Sequence, residues 1–293
     1  MLVEQNQYPK TLSFEFFPPK TQQGLEKLRT TAKNFAHFKP QYFSITYGAG
    51  GFSQDKTMET VLDLHETTNV PIAPHLSCIG ATKKNIRTQL NTYENHDINR
   101  IVALRGDLPA GVNHQGDFNH ASDLVAFIRE VSGNYFHIEV AAYPEFHPEA
   151  INANTDLSHF KEKVAQGANS AITQYFFNID CYLFFIENCA KQNIQVPIVP
   201  GIMPIHNCLQ LERFSDMCGA ELPRWIRKKL EAFQNDEAST IAFGIDIITE
   251  LCDKLLNEGA PGIHFYTLNR ADVTIQICKN LNITSRIKPS DKT

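Results

Sequence analysis

Eight short segments rich in apolar and β-branched residues recur along the chain, and a longer segment with helical periodicity follows each of them. Strands that alternate with helices of such length are typical of βαβ units, which place the strands parallel in one sheet. The predicted strands are Leu12–Phe17, Tyr42–Ile45, Pro71–Leu76, Ile101–Leu104, Ile138–Ala142, Ala171–Phe176, Pro197–Val199 and Gly262–Tyr266. The predicted helices are Gln22–Phe38, Ser53–Thr68, Lys83–Asn95, Ser122–Val131, Asp156–Gln166, Asp180–Lys191 and Asn207–Met217, followed by a longer helical tract from Pro223 to Glu258.

Eight such units in one chain close most simply into a (β/α)8 barrel of the TIM type. No linker rich in Pro, Gly or Ser divides the sequence, so we predict a single α/β domain over residues 1–293. The alternative is an open doubly wound sheet, whose nucleotide-binding turn carries G-x-G-x-x-G after the first strand. The nearest glycine run, at 48–51, follows the second strand and has a different spacing.

Composition narrows the classes of function. A net charge of −5 argues against a nucleic-acid partner, which would need a basic excess. No stretch approaches the roughly 18 apolar residues of a membrane span, and the N-terminus lacks an apolar signal region. The seven cysteines include no C-x-x-C pair, so we expect free thiols in the cytoplasm. No His and carboxylate residues occur at metal-binding spacing, and we expect no metal site.

Local signals place the ends of two helices. Asp156 precedes apolar residues at helical spacing and is a good N-cap, and Gly167 suits the position after the last turn. Asp180 is the corresponding N-cap candidate for the next helix. We therefore expect these two helices to begin at their aspartates.

Polar residues follow seven of the eight predicted strands. Because the carboxyl ends of barrel strands meet at one mouth, these side chains are expected to form an active site there. The principal candidates are Glu15, Thr46, Tyr47, His75, Arg105, Asp107, Tyr143, His147, Gln174, Thr267, Asn269 and Arg270.

Glu15 is the most informative of these residues. Strand alternation places it with Ser13 and Phe17 on one face, between the apolar side chains of Phe14 and Phe16. If that face points into the barrel, burial would raise the pKa of the carboxyl group. A raised pKa suits a general acid at neutral pH. The alternative is a buried glutamate paired with a Lys or Arg.

The motifs at the strand ends closely resemble those of the methylenetetrahydrofolate reductase family. The resemblance runs in order from about residue 12 to about residue 282, and seven motifs in register make it specific. Those motifs are Ser13–Pro19, Ser44–Ala49, Ala73–Leu76, Ala103–Asp107, Ala141–Ala150, Ala171–Gln174 and His264–Arg270. The segment Gly111–His120 has no clear match, so Ala121 is placed only by the residues that follow it.

The resemblance implies a cytoplasmic flavoenzyme on a (β/α)8 barrel, forming a homo-oligomer and supplying methyl groups for methionine synthesis. FAD would carry a hydride from NADH or NADPH to 5,10-methylenetetrahydrofolate in a ping-pong reaction, giving 5-methyltetrahydrofolate. Glu15 would be the general acid, and Asp107 would lie near both flavin and folate. By matched motif, the folate-binding residues would be Asp107, Gln174, Gln210, Phe214 and Arg270. The FAD-binding residues would be Thr46, Tyr47, Ala49, His75, Arg105, Gly106, Asp107, Ala121, Tyr143, His147, Ala150, Asp156, His159, Glu162 and Lys163.

Two other classes of function stay open. A barrel lyase or aldolase without flavin would need a Schiff-base Lys or a metal at a strand end, and the strand ends above supply no Lys. A non-catalytic subunit that binds flavin or folate would be expected to lack the carboxylate of Glu15. Flavin colour, and its bleaching by NADH, would separate these classes.

Overall fold

In the computed structural model, the described residues are 3–47, 54–106, 116–233 and 236–287. No helix within these ranges combines the length and apolar character needed to cross a membrane. The strands are β1 (Thr11–Phe16), β2 (Tyr42–Ile45), β3 (Ile72–Ser77), β4 (Arg100–Leu104), β5 (His137–Ala142), β6 (Ser170–Thr173), β7 (Ile198–Val199), β8 (Gly201–Ile202) and β9 (Gly262–Tyr266). The helices are α1 (Val3–Asn6), α2 (Gln22–Ala36), α3 (Gln54–Thr68), α4 (Lys83–Asn95), α5 (Ala121–Ser132), α6 (Ala153–Ala165), α7 (Ile179–Lys191), α8 (Cys208–Cys218), α9 (Arg224–Phe233), α10 (Glu237–Glu258), α11 (Asp272–Asn280) and α12 (Ile283–Arg286).

The strands form one parallel sheet in the order β7-β6-β5-β4-β3-β2-β1-β9-β8. Its two outermost strands, β7 and β8, belong to one stretch of chain and are separated by Pro200. β7 pairs with β6 and β8 pairs with β9, so this stretch joins both edges of the sheet. The result is a nearly closed, eight-position barrel surrounded by helices. The predicted TIM-type (β/α)8 fold is confirmed, and the open doubly wound alternative is wrong.

The break in the seventh barrel position has a chemical cause. Pro200 has no backbone N–H and cannot donate to a neighbouring strand, although its carbonyl accepts from the His264 N–H at 3.0 Å. The next N–H, of Gly201, donates to the side chain of Thr173 at 2.9 Å instead of to a backbone carbonyl. The sequence predicts only Pro197–Val199 here, and the structure adds a second short strand beyond the proline.

Two further predicted elements differ in extent. The sixth strand ends at Thr173 rather than at Phe176. The predicted tract from Pro223 to Glu258 contains two helices, α9 and α10, because Asp236 begins a new one. The Asp236 carboxylate accepts a hydrogen bond from the Ser239 N–H at 3.0 Å, which caps α10.

Asparagines, and not the predicted aspartates, cap α6 and α7. Asn152 accepts from the Thr155 N–H at 3.0 Å, and Asn178 accepts from the Asp180 N–H at 3.0 Å. Both asparagines have the extended backbone that suits an N-cap, so each helix begins upstream of its aspartate. Asp156 and Asp180 lie in the first helical turn. This leaves the Asp156 carboxylate available for another contact.

Successive side chains of β1 point alternately to the two faces of the barrel wall. Phe14 stacks on Phe35 of α2, with ring centroids 4.3 Å apart, and Phe16 also packs against Phe35. The helix layer therefore covers this face. Ser13 and Glu15 alternate with the phenylalanines and face the barrel interior, as predicted.

Candidate active site

Two adjacent cavities open at the carboxyl ends of the strands. An outer cleft of about 410 Å³ lies beside the ends of β4 and β5 and the neighbouring helices α5 and α6. A central cavity of about 350 Å³ is lined by residues of β1, β3, β4, β5, β6 and β9. Leu104, Ala141 and Tyr143 line both, so occupants of the two spaces would touch. Nine of the predicted FAD-binding residues line the outer cleft: Arg105, Gly106, Ala121, Tyr143, His147, Ala150, Asp156, His159 and Lys163.

The outer cleft contains two cationic side chains, Arg105 and Lys163, and two carboxylates, Glu149 and Asp156. Arg105 forms an ion pair with Glu149, with 2.6 Å between the guanidinium and the carboxylate. The Lys163 ammonium donates to the Ala141 carbonyl at 2.6 Å. Burial lowers the pKa of Lys163 to about 8, although the charge of Asp156 opposes the shift. The cleft is therefore suited to an anionic ligand that would stabilise the charged amine.

The loop after β5 is folded around His147. The backbone N–H of His147 donates to the Asp156 carboxylate at 3.1 Å, and the His147 Nδ1 accepts from the Glu149 N–H at 3.0 Å. The Ala150 N–H closes the turn by donating to the His147 carbonyl at 2.8 Å. Asp156 thus anchors the loop that lines the outer cleft, and this contact replaces its predicted capping role.

Glycine is required after Arg105. Gly106 has φ of +82°, and a Cβ there would lie 2.0 Å from the Ser77 hydroxyl. The same hydroxyl donates to the Arg105 carbonyl at 2.9 Å, so it is held in place. The turn therefore presents bare backbone to the cleft, where a ligand can approach closely.

Glu15 lies at the floor of the central cavity between two imidazoles. Its carboxylate is 3.3 Å from His75 Nε2 and 3.7 Å from His264 Nε2, and its side chain is 18% exposed. Burial raises the pKa of Glu15, but the adjacent imidazoles of His264 and His75 outweigh burial and lower it to about 2. The predicted raised pKa is therefore wrong, because the carboxylate is not isolated. The predicted Lys or Arg partner is also wrong, since both partners are histidines.

Other walls of the central cavity are apolar or aromatic. Gln174 and Phe214, both predicted to bind folate, line it together with Tyr266. The Tyr266 hydroxyl donates to the Thr173 carbonyl at 2.7 Å, which fixes its ring against the cavity. A planar ligand would meet an apolar surface here, with Gln174 and Glu15 as its polar partners.

The remaining predicted residues are distributed as follows. Glu162, Gln210 and Arg270 are exposed and line neither cavity, and Arg270 lies 3.6 Å from Asp272. Thr46 and Tyr47 follow β2 at the same mouth as Glu15. Ala49 and Asp107 lie outside the described residues. In the part of the chain that is described, no three His, Cys, Asp or Glu side chains are grouped to hold a metal.

The site residues that sequence reasoning missed include His120, Glu149 and His264. His120 and Glu149 line the outer cleft, and His264 approaches Glu15. His264 carries a sequence signal, because it alternates with Tyr266 on an otherwise apolar strand and so shares its inward face. His120 and Glu149 lie in loops, where no periodicity reports the direction of a side chain.

Known proteins with similar sequences form a consistent group. A family model described as methylenetetrahydrofolate reductase matches residues 2–282. The 5,10-methylenetetrahydrofolate reductase of Salmonella typhimurium is 42% identical over 272 residues, which cover 93% of this chain and 90% of that protein. The Escherichia coli protein of the same name is 41% identical with the same coverage. The match to methylenetetrahydrofolate reductase (NADH) 1 of Arabidopsis thaliana, at 37% identity, covers 99% of this chain and 51% of the plant protein.

A solved structure gives independent support for the fold. A protein from Clostridium thermocellum that binds two copies of 5-methyl-5,6,7,8-tetrahydrofolic acid has a TM-score of 0.68 and 17% identity, covering 96% of this chain and 98% of that one. At such low identity the likeness concerns the barrel alone. The sequence matches, in contrast, extend over nearly the whole chain and include the motifs at the strand ends. This chain belongs to the methylenetetrahydrofolate reductase family.

Proposed function

We propose that this protein reduces 5,10-methylenetetrahydrofolate to 5-methyltetrahydrofolate, with FAD as its bound cofactor and NADH or NADPH as the electron donor. The observation that carries the proposal is the junction of an outer cleft, which presents Arg105, Lys163 and the bare backbone of Gly106, with a central cavity that holds the half-buried carboxylate of Glu15. The family supports the choice of substrate and reaction. The cytoplasm, a homo-oligomer and a supply of methyl groups for methionine synthesis belong to the same proposal.

The outer cleft fits FAD by its chemistry. A diphosphate is an anion, and Arg105, Lys163 and His147 offer it charged or polar donors. Gly106 supplies bare backbone at the same place. We assign FAD binding to the nine residues lining the cleft and, by family resemblance, to Thr46, Tyr47, Ala49, His75, Asp107 and Glu162. Once bound, FAD would supply the hydride transfer between the two substrates.

The central cavity would hold the reacting ring of each substrate in turn. Its volume of about 350 Å³ suits one planar ring system, so folate and nicotinamide would exclude each other. Such alternation is the requirement of a ping-pong reaction. Phe214 would cover the bound ring and Gln174 would hydrogen-bond to it. Arg270 and Gln210 would bind the more distant, anionic part of folate from the rim.

Glu15 would protonate folate N10, so that the five-membered ring opens and the one-carbon unit becomes electrophilic. Asp107 would stabilise the positive charge that develops on the folate. The pKa of the Glu15 carboxyl is lowered to about 2, so this group would have to gain a proton before it could act as the acid.

The decisive experiment separates the two half-reactions of Glu15→Gln under anaerobic conditions. We expect the variant to bind FAD and to be bleached by NADH at the wild-type rate, since hydride transfer between rings needs no proton from Glu15. Reoxidation by methylenetetrahydrofolate should slow by about 10²–10⁴-fold, which is the usual value of a general acid. Glu250→Gln, an exposed change on α10, is the control and should match wild type in both steps.

The same measurements test the alternatives. A wild-type protein without flavin absorption would favour a lyase, and flavin that neither NADH nor NADPH bleaches would favour a passive binding subunit. If Glu15→Gln is reoxidised by folate within about tenfold of wild type, Glu15 is not the acid.

A further inference from the structure

Glu15 is one end of a short row of polar side chains enclosed by the barrel. Ser13 lies two residues before it on β1, and His264 lies opposite Ser13 on β9. Ser13 and His264 are both fully buried. The proposed mechanism uses Glu15 but gives neither of these two residues a task.

The His264 ring spans the distance between Ser13 and Glu15. Its Nδ1 is 2.7 Å from the Ser13 hydroxyl, and its Nε2 is 3.7 Å from the Glu15 carboxylate. Nε2 has no hydrogen-bond partner among the described residues, and the Glu15 carboxylate is a charged group within 3.7 Å of it. A hydroxyl both donates and accepts, and Ser13 can therefore hold the ring whether or not Nδ1 carries a proton.

The pair of Glu15 and His264 can hold one shared proton in two ways. Either a carboxylate lies beside an imidazolium, or a carboxylic acid lies beside a neutral imidazole. Water reaching the central cavity favours the charged arrangement. A substrate ring that fills the cavity would remove this water from Glu15. Desolvation disfavours the charged forms, so filling the cavity favours transfer of the proton to the carboxylate.

We propose that His264, held by Ser13, is a positioning residue that stores the proton Glu15 delivers to folate. The inference rests on the proposed function. The His264 Nε2–H bond breaks as the Glu15 O–H bond forms, and that O–H bond then breaks as N10–H forms on the substrate. The electron pair of the broken C–N10 bond stays on N10, and a proton from solvent restores the imidazolium. Among the residues that the structure describes, Tyr42, His75 and Tyr266 are further titratable groups that face this site.

The first test compares two serines. Ser13→Ala removes the hydroxyl that holds His264, and Ser44→Ala is the matched control. Ser44 is also buried, lies opposite Glu15 on the adjacent strand β2, and its hydroxyl has no partner within the described ranges. In anaerobic stopped-flow experiments on the holoenzyme, we expect Ser13→Ala to slow the folate half-reaction by about tenfold or more, as for loss of a hydrogen bond to a charged group. Flavin reduction by NADH should be unchanged in both variants.

The second test replaces His264, the residue proposed to store the proton. His264→Gln keeps a donor directed at Glu15 but cannot take up and release a proton. We expect it to retain FAD and normal reduction by NADH, and to slow folate reduction by about 10²-fold. The pH profile of the folate half-reaction should also shift in Ser13→Ala and His264→Gln, and remain that of wild type in Ser44→Ala.

A third measurement does not depend on turnover. In holoenzyme labelled with ¹⁵N at histidine, His264→Gln identifies the resonances of this ring among the 11 histidines. Ser13→Ala and Glu15→Gln should each move these resonances, whereas Ser44→Ala should leave them unchanged.

The outcomes separate the two proposals. If Glu15→Gln loses folate reduction while Ser13→Ala and His264→Gln keep wild-type rates and pH profiles, the role of His264 is overturned and that of Glu15 stands. Equal slowing of both half-reactions in His264→Gln, with unchanged ¹⁵N resonances in Ser13→Ala, would show a structural role only. A wild-type protein that fails to reduce folate would overturn the proposed function itself.

Discussion

Lys163 is the residue whose charge depends most directly on what fills the outer cleft. Burial lowers the pKa of its ammonium to about 8, while its Nζ is held at 2.6 Å from the Ala141 carbonyl. A bound diphosphate would favour the charged form and raise this pKa again. Anion binding and proton uptake by Lys163 are therefore linked.

This linkage predicts that FAD affinity falls as the pH rises above about 8. Below that pH the amine is already charged, and above it binding must first recapture a proton. Lys163→Ala should raise the FAD dissociation constant by about tenfold to 100-fold and abolish the fall in affinity above pH 8. Fluorescence titration of the apoprotein measures both effects. Lys161→Ala, on the exposed side of the same helix, should bind FAD like wild type; an equal loss in both variants would contradict the assignment.

At the residue scale, the sequence predicts where a side chain lies better than it predicts which groups surround that side chain. The motifs bring most of the proposed FAD residues to one cleft, because strand ends converge in any parallel barrel. The prediction that was wrong is the raised pKa of Glu15. Its partner His264 lies on β9, about 250 residues farther along the chain. No local pattern reports a contact between residues so distant in sequence. The same limit explains why the ion pair of Arg105 with Glu149 was not foreseen.

At the element scale, the barrel depends on the broken seventh position. The Gly201 N–H is buried and finds its acceptor in the Thr173 side chain, at 2.9 Å. A side chain at position 201 has no space, because a Cβ would lie 2.1 Å from the Thr173 carbonyl oxygen. Periodicity predicts that a strand occurs here, whereas its break follows from proline chemistry and from a contact with β6.

The role of the Thr173 hydroxyl is testable by removing it without changing the volume of the side chain. Thr173→Val leaves a buried N–H without an acceptor, and we expect it to lower the free energy of unfolding by about 1–3 kcal/mol. Thr274→Val is the matched control, since Thr274 is equally buried but its hydroxyl has no partner in the described part of the chain. Chemical denaturation should show no loss for the control. Equal losses would mean that volume or packing, and not this hydrogen bond, sets the cost.

At the scale of the whole molecule, each end of the barrel has its own group of charged side chains. The proposed chemistry occupies the carboxyl ends of the strands. At the opposite end, Glu139 forms an ion pair with Arg100 and accepts from the Ser170 hydroxyl at 2.5 Å. Burial raises the pKa of Glu139, but His137 and Arg100 outweigh burial and lower it to about 2. These contacts join β4, β5 and β6 across the amino end of the sheet.

Glu139→Gln should therefore destabilise the barrel without altering the site. Leaving Arg100 without its carboxylate is expected to lower the free energy of unfolding by about 3–5 kcal/mol. Because the folded pKa lies below the ordinary value of 4.5, this contribution is complete above about pH 4.5 and is lost as the pH falls toward 2. The difference in denaturation midpoint between variant and wild type should narrow over that range. The exposed Glu250–Lys254 pair gives the control Glu250→Gln, which should change stability by less than about 1 kcal/mol.

The pairing of β1 with β9 has a consequence for how the protein is made. β1 leaves the ribosome long before β9, although the two strands are neighbours in the sheet. Until residue 266 has emerged, the nascent chain presents an unpaired strand edge, and such edges invite aggregation. The histidine that approaches Glu15 arrives with β9. A product truncated before β9 would therefore retain the residues that line the outer cleft but would lack His264 beside Glu15.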